Sequence, residues 1–261
     1  DAVAQRRAPR EDSESGIFRS EDGGATWQRV TAGLPQKIVG RIGLAVCQRE
    51  PGLVLAIIEG LSGGMFRSTD KGRTWVKQAA INPGGAYFGQ IRVDPTNGQR
   101  VWVLAADPLF YSEDGGKTFC RSEDGTYNTY CTNWLERIHY DSHALWINPR
   151  NADHMVLGGD GGVYISESRG RTWSYIQTLP ISQFYQVGFD MQEPYLVYGG
   201  QQDTGTWSIP SRSLYTMGIA NDDSFGVLVG DGYYVAVDPT DPDVVYAEYQ
   251  GGRLFRISRR T

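Results

Sequence analysis

An eight-residue pattern, S-x-D-x-G-x-T-W, recurs along the chain and constrains its fold more than any other feature. The pattern begins at Ser20, Ser68 and Ser112, and a fourth copy that begins at Ser166 carries serine in place of the aspartate. Successive copies start 48, 44 and 54 residues apart. A repeat of this length indicates that one supersecondary unit occurs several times and that neighbouring units stack on one another.

Each of these octets has the composition of a tight turn between two strands. An Asp or Ser side chain accepts hydrogen bonds from nearby backbone N–H groups, glycine adopts a positive φ at little cost, and the closing aromatic ring can be buried against a sheet. Short apolar runs flank every copy, so we interpret the octets as structural turns of β-hairpins. Their defining residues are Ser20, Asp22, Gly24 and Trp27; Ser68, Asp70, Gly72 and Trp75; Ser112, Asp114, Gly116 and Phe119; and Ser166, Gly170 and Trp173.

A second motif alternates with the octets. It consists of an apolar run, a proline-containing turn and another apolar run, at residues 93–102, 147–156 and 237–246, with looser versions at 46–55 and 189–197. Two hairpins in each period make four strands in roughly 45 residues, which is the sheet unit of a β-propeller blade. The sequence therefore predicts an all-β propeller with four-stranded antiparallel blades.

The strand count predicts an incomplete propeller. Residues 1–15 are charged and non-periodic, which is typical of a tail or loop, and residues 16–261 are the propeller segment of about five blades. The predicted units are a half blade at 17–30, full blades at 38–78, 88–121, 144–176 and 183–219, and a sixth unit from about 225 to 257. The two partial units would overlap by one strand rather than complete one blade, so we expect the biological protein to be longer.

The octets resemble Asp boxes (BNR repeats), which occur in bacterial neuraminidases, sortilin-type propellers and two-propeller xyloglucanases. Longer phrases at 88–95, 143–149, 158–163 and 198–203 resemble large secreted bacterial proteins described as sortilin-like or glycosyl-hydrolase-like. The resemblance covers nearly the whole chain after about residue 15. It implies an extracellular or periplasmic location, and it implies that the octets lie on the propeller rim, away from the ligand face.

Charge and cysteine content limit the function classes. A formal net charge of −5 gives no basic surface for nucleic acid, and no apolar run approaches the ~20 residues of a membrane-spanning helix. Cys120 and Cys131 bracket a polar loop and are disulfide candidates, which would place the chain in an oxidising compartment; three free thiols are the alternative. Cys47 lies in an apolar run and is predicted to be a buried thiol.

The residues that blade geometry leaves unexplained begin with His139, Asp141 and His143. In an extended segment all three side chains would point to one face. They could then bind a metal such as zinc, donate to a polar ligand, or form a purely structural network. Among these alternatives we predict neither a bound metal ion nor another cofactor.

Acidic and amide residues beside glycines form a second candidate set. If they fall at equivalent turns of successive blades, they converge on the central channel, where propellers commonly bind ligands; capping of individual turns is the alternative. The residues are Asp107, Asp160, Gln202, Asp203, Asn221, Asp222, Asp223 and Asp231.

Three functional hypotheses follow. The first is a binding or scaffold module for a glycan or a protein, which engages the face that carries the candidate residues. The second, from the family resemblance and the channel carboxylates, is a glycoside hydrolase that acts on β-glucan-type polysaccharide. The third is a structural component of a larger surface assembly, where exposed edge strands pair with further blades or a neighbouring subunit.

Overall fold

The structure is a computed structural model that describes residues 15–36, 40–81, 89–105, 109–119, 138–139, 141–176, 178–179 and 181–260. These residues form twenty β-strands and one 3-10 turn, Asn221–Asp223. Within the described ranges there is no α-helix, and therefore no helix long and apolar enough to span a membrane. The predicted all-β class is confirmed.

The chain divides into two compact units, Asp1–Gln177 and Thr178–Thr261. In the first unit, strands that follow one another in sequence pair antiparallel in four sheets. The sheets contain β1 (Ile17–Arg19) and β2 (Gln28–Val30); β3 (Ile42–Val46), β4 (Val54–Ile58), β5 (Gly64–Ser68) and β6 (Val76–Ala79); β7 (Ile91–Asp94), β8 (Asn97–Leu104) and β9 (Leu109–Ser112); and β10 (Ser142–Ile147), β11 (Met155–Gly159), β12 (Gly162–Ser166) and β13 (Ser174–Tyr175).

The second unit has two sheets of the same meander type. They contain β14 (Phe184–Phe189), β15 (Leu196–Gln201), β16 (Gly205–Pro210) and β17 (Phe225–Leu228), followed by β18 (Val235–Val237), β19 (Val244–Tyr249) and β20 (Arg253–Ser258). Repeated four-stranded antiparallel meanders are the blades of a β-propeller, and the described strands make an incomplete one.

One predicted blade boundary is wrong. The sequence placed Phe225 at the start of a sixth unit, but β17 pairs with β16, through Trp207↔Gly226 and Ser208↔Phe225, and completes the preceding blade. The connection that precedes β17, residues 211–224, is long and lacks the octet. Because the octet is absent there, the sequence analysis assigned the fourth strand of this blade to the following blade.

The strands of the first unit are buried on both faces where consecutive sheets pack. Alternate residues of a strand point to opposite faces, and β8 uses this alternation fully. Val101 and Val103 lie in one apolar cluster with Leu55 of the preceding sheet. Trp102 and Leu104 lie in another cluster with residues of β10 and β11. Stacked blades therefore share continuous cores, as the repeat predicted.

The octets close their turns with their own side chains. In the second octet the Ser68 hydroxyl donates to Asp70 Oδ1 at 2.7 Å and accepts the Gly72 N–H at 2.8 Å. Asp70 accepts the backbone N–H of Thr74 at 2.9 Å, and Trp75 Nε1 donates to the Gly72 carbonyl at 3.1 Å. The first and third octets repeat the Ser–Asp, Ser–Gly and Asp–Thr bonds.

The carboxylates of these turns are held ionised. The hydroxyl and backbone N–H of Thr74 donate to Asp70 and keep the pKa of that carboxyl well below its usual range. Thr26 does the same for the pKa of Asp22. In the fourth octet Ser168 replaces the aspartate, and its hydroxyl accepts the N–H of Thr172 at 2.8 Å. A serine therefore performs the main acceptor role where the pattern has lost its charge.

Replacing Ser68 with alanine should destabilise the protein by about 1–3 kcal/mol, because the Gly72 N–H, which is buried, would lose its only acceptor in the turn. Ser20→Ala is the matched control, since Ser20 makes the same bonds in an exposed octet where water can replace the hydroxyl. Urea unfolding followed by circular dichroism measures both. Equal losses in the two variants would contradict a role for burial.

Of the three cysteines, Cys47 lies among the residues that the structure describes. Cys47 is completely buried, with its sulfur 3.5 Å from the backbone oxygen of Asp94, so the predicted buried thiol is confirmed. Cys120 and Cys131 lie outside the described residues, as do Asp107 and the first fourteen residues of the predicted tail at 1–15.

Candidate functional site

One backbone hydrogen bond recurs in the sheets and defines equivalent positions in the blades. In each of five sheets, the second strand pairs with the first strand up to a last residue. The residue that follows this last paired residue donates its N–H to the carbonyl of the residue that precedes the first strand. The pairs are Glu59 to Arg41 at 2.9 Å, Leu104 to Gln90 at 2.9 Å, Asp160 to Asp141 at 3.2 Å, Gln202 to Gln183 at 3.0 Å and Glu248 to Tyr234 at 2.9 Å. Four of these five blades thus carry a carboxylate or carboxamide at the same position.

This register refines the predicted acidic set. Asp160 and Gln202 hold equivalent positions, and Asp203 follows one residue later. Glu59 and Glu248 hold the same position, and the sequence analysis did not identify them. The sequence motifs align the blades only approximately, whereas the hydrogen-bonded register aligns them residue by residue.

Asn221 and Asp222 lie elsewhere, which corrects their assignment to equivalent turns. In an antiparallel meander, successive connections alternate between the two ends of the sheet. The β16–β17 connection that contains them is therefore at the opposite end from Asp203. Asp223, the next residue, accepts the Ala220 N–H at 2.8 Å and caps the 3-10 turn. Asp231, in the β17–β18 connection, is at the same end as Asp203.

In the first unit, four predicted residues meet at the β11–β12 turn; we call His139, Asp141, His143 and Asp160 the histidine cluster. His143 Nε2 lies 2.9 Å from Asp160 Oδ1, with 34% and 29% of the two side chains exposed. The backbone N–H of Asp160 donates to the Asp141 carbonyl. His139 packs over Gly161, where an added Cβ would lie 2.2 Å from the histidine Cβ. The cluster is therefore an accessible imidazole–carboxylate pair on a closely packed turn.

The expected extended geometry of this cluster is wrong. Strand β10 begins at Ser142, Asp141 has a left-handed φ of 64°, and the pairing of β10 with β11 shifts between Ser142 and Ala144. A positive φ and a bulge each redirect the side chains, so spacing by two no longer places them on one face. Among the described residues, no group of three or more His, Cys, Asp or Glu is arranged to hold a metal ion.

The second unit contains an aromatic and acidic cluster that the sequence identified only in part. We call Tyr185, Gln202, Asp203, Asp231 and Tyr233 the tyrosine cluster. The rings of Tyr185 and Tyr233 stack at 5.0 Å between centroids and 12° between planes. The Tyr185 hydroxyl donates to Gln202 Oε1 at 2.9 Å. The sequence analysis identified neither tyrosine, because Tyr185 lies in a strand and Tyr233 in a loop, and no local motif links the two residues.

Backbone hydrogen bonds connect the two loops of the tyrosine cluster. The N–H of Asp203 donates to Asp231 Oδ1 at 2.7 Å, and Asp203 itself has a left-handed φ of 61°. The N–H of Gly232 donates to the Gln201 carbonyl at 2.9 Å. These bonds tie the loop that carries Asp231 to the β15–β16 turn, and the first of them holds the Asp231 carboxylate in place.

The carboxylates of the tyrosine cluster affect the pKa of Tyr185. Partial burial and the negative charges of Asp231 and Asp203 raise the pKa of Tyr185. Tyr185 as a whole residue remains 38% exposed. The cluster therefore presents an accessible aromatic ring in a negative potential, with one carboxamide and two carboxylates around it.

No protein-family model matches the chain, and no curated protein sequence matches it. Among solved structures, a GH74 enzyme from Niastella koreensis is similar with a TM-score of 0.47 and 15% identity, over 90% of this chain and 38% of that one. The GH74 xyloglucanase from Xanthomonas campestris gives 0.46 and 15%, over 94% and 42%. YCF48 bound to D1 peptide gives 0.43 and 14%, over 92% and 70%.

The chain spans about two fifths of the length of the two GH74 proteins. The antiparallel sheets of the described residues define an incomplete all-β propeller, and the function of this chain has to be inferred from its own residues.

Proposed function

We propose that this chain belongs to an extracellular or periplasmic β-propeller that binds glycans, as a binding or scaffold module. The observation that carries the proposal is the tyrosine cluster, in which stacked aromatic rings stand beside Gln202, Asp203 and Asp231 at one end of a sheet. Ligand sites typically combine apolar or aromatic walls with a few fixed polar groups.

The groups of the cluster match the two surfaces of a sugar ring. The apolar face of a pyranose packs on an aromatic ring, whose body is apolar. Sugar hydroxyls donate to carboxylates, which only accept, and exchange bonds in both directions with a carboxamide. The histidine cluster of the first unit offers groups of the same kind, with an imidazole and a carboxylate open to solvent.

Tyr185→Ala should weaken glycan binding by about 30-fold, because truncation of an aromatic anchor at an interface costs about 2 kcal/mol or more. Tyr185→Phe keeps the ring and should retain most of the affinity. Binding is measured by glycan array and then by titration calorimetry on the hits.

Tyr215→Ala is the matched control, because Tyr215 is 73% exposed in the same unit but lies in the β16–β17 connection, at the opposite sheet end. Wild-type affinity in Tyr185→Ala, or an equal loss in Tyr215→Ala, would contradict the proposed site. A screen that finds protein ligands and no glycans would replace glycan binding with protein binding.

Glycoside hydrolysis is the second candidate, favoured by one observation. Asp203 and Asp231 lie on two connections at the same sheet end, the backbone N–H of Asp203 donates to Asp231 Oδ1, and both carboxylates raise the pKa of the Tyr185 phenol. Glycosidases use two carboxylates as acid and base or nucleophile. Release of reducing sugar from β-glucan by the full-length protein, abolished in Asp231→Asn, would establish this activity; absence of release across a polysaccharide panel would exclude it.

A further inference from the structure

We propose that the tyrosine cluster selects glycans that carry free amino groups, such as oligomers of glucosamine, over neutral, N-acetylated or acidic ones. This inference rests on the glycan binding proposed above and specifies the sugar. It starts from the distribution of charge along the chain.

The formal charge of the chain resides in the second unit. From residue 178 onward the sequence has ten Asp and Glu residues against five arginines, and it has no lysine. That difference equals the net charge of −5 of the whole sequence. The first unit is therefore neutral, and the second presents a negative field in which cationic ligands are favoured.

Several of these arginines are engaged by other groups. Arg212 forms an ion pair with Glu193, and Arg260 forms ion pairs with Asp241 and Asp243. Arg259 donates to the Tyr198 hydroxyl at 3.2 Å. Among the described residues, no ion pair neutralises Asp231, whose recorded contact is the N–H of Asp203.

The geometry of the tyrosine cluster suits an ammonium group. A cation over an aromatic face is attracted by the ring, at about 0.5–2 kcal/mol, and an ammonium group donates charge-assisted hydrogen bonds to carboxylates. The partly exposed ring of Tyr185 stacks on Tyr233 beside the carboxylates of Asp203 and Asp231. A protonated amine on a stacked sugar would meet all of these groups, whereas a uronate would be repelled.

A buried hydroxyl at the same loop supports a ligand site there. Thr206 is fully buried and its Oγ1 makes no hydrogen bond to the described residues. It points to the loop that carries Asp231, since a Cβ on Gly232 would lie 2.3 Å from it. A buried polar atom without a partner is costly in a native structure and needs an explanation. A polar group bound at this loop, or a water that it orders, would satisfy the hydroxyl.

The test is titration calorimetry at low salt with tetramers of glucosamine, N-acetylglucosamine, glucose and a uronic acid, at a pH where the amine is protonated. We expect the glucosamine tetramer to bind at least ten-fold tighter than the other three. The preference should shrink at high salt, because salt screens exposed charges. In the double variant Asp203→Asn, Asp231→Asn, which keeps side-chain size, the preference should disappear while weak binding of neutral sugar remains.

Asp222→Asn is the control for position, since it removes one negative charge of the same unit at the opposite sheet end and should leave the preference intact. Equal affinities for the amino, acetylated and neutral tetramers would overturn the amine selectivity and leave glycan binding standing. Absence of binding to every tetramer would overturn both. Equally tight binding of a trilysine peptide would show that charge alone is recognised, and would overturn the assignment to a sugar.

Discussion

Replacing Trp75 with alanine should lower the free energy of unfolding by about 3–5 kcal/mol, the usual cost of removing a buried aromatic side chain. Trp75 is 4% exposed and lies in an apolar cluster with Ile58 and Phe66, between the β1–β2 hairpin and the following sheet. Its loss would leave a cavity at the place where these two sheets pack. It would also leave the buried carbonyl of Gly72 without its indole donor.

Trp27→Ala is the matched control for this prediction. Trp27 closes the first octet and donates to the Gly24 carbonyl at the same 3.1 Å, but its side chain is 63% exposed. Its removal should cost about 0.5 kcal/mol or less. Urea unfolding monitored by far-ultraviolet circular dichroism compares the two variants. Similar losses would mean that the indole hydrogen bond, rather than burial, determines the contribution of the octet.

Replacing Gly200 with alanine should abolish ligand binding at the tyrosine cluster and destabilise the second unit by about 1–3 kcal/mol. A Cβ at Gly200 would lie 2.1 Å from the backbone oxygen of Tyr233. That atom cannot rotate away as a side chain can, so the loop that carries Asp231 and Tyr233 has to move. The rings would then lose their stacking and the carboxylates their position.

Gly226→Ala tests whether this effect is specific. Gly226 lies in β17 of the same sheet, and its nearest neighbour atoms, on Trp207, would be 3.9 Å from an added Cβ. Glycan affinity and the chemical shifts of the tyrosine rings should stay unchanged in this variant. Retained affinity in Gly200→Ala would show that the ligand does not use the tyrosine cluster.

The sequence predicted the fold because its signals are local. Each octet contains the side-chain donors and acceptors that close its own turn, such as the Ser68 hydroxyl and the Asp70 carboxylate, so the pattern can be read without knowing what the turn packs against. Where the octet is missing, before β17, the prediction misplaced a strand. The sequence of β17 itself does not indicate which sheet the strand joins.

The candidate site was predicted only in part, because it depends on contacts between residues that are distant in sequence. Asp160 and His143 were named and do meet, but through a bulge and a left-handed Asp141 rather than an extended strand. Asp203 and Asp231 were named singly, and their partners Tyr185 and Tyr233 were not. Stacking of two tyrosines 48 residues apart depends on the pairing of β14 with β15 and on the path of the β17–β18 loop.

The sequence by itself determined the repeating hairpins, the antiparallel blades and the acidic character of the second half, since these follow from short-range hydrogen bonds, strand periodicity and charge. Only the tertiary structure decided which side chains share a surface. That depends on backbone register, where a shift of one residue moves a side chain to the opposite face. The tyrosine cluster exists because such registers, together with close approaches at Gly200 and Gly232, bring two connections and the start of β14 to the same end of a sheet.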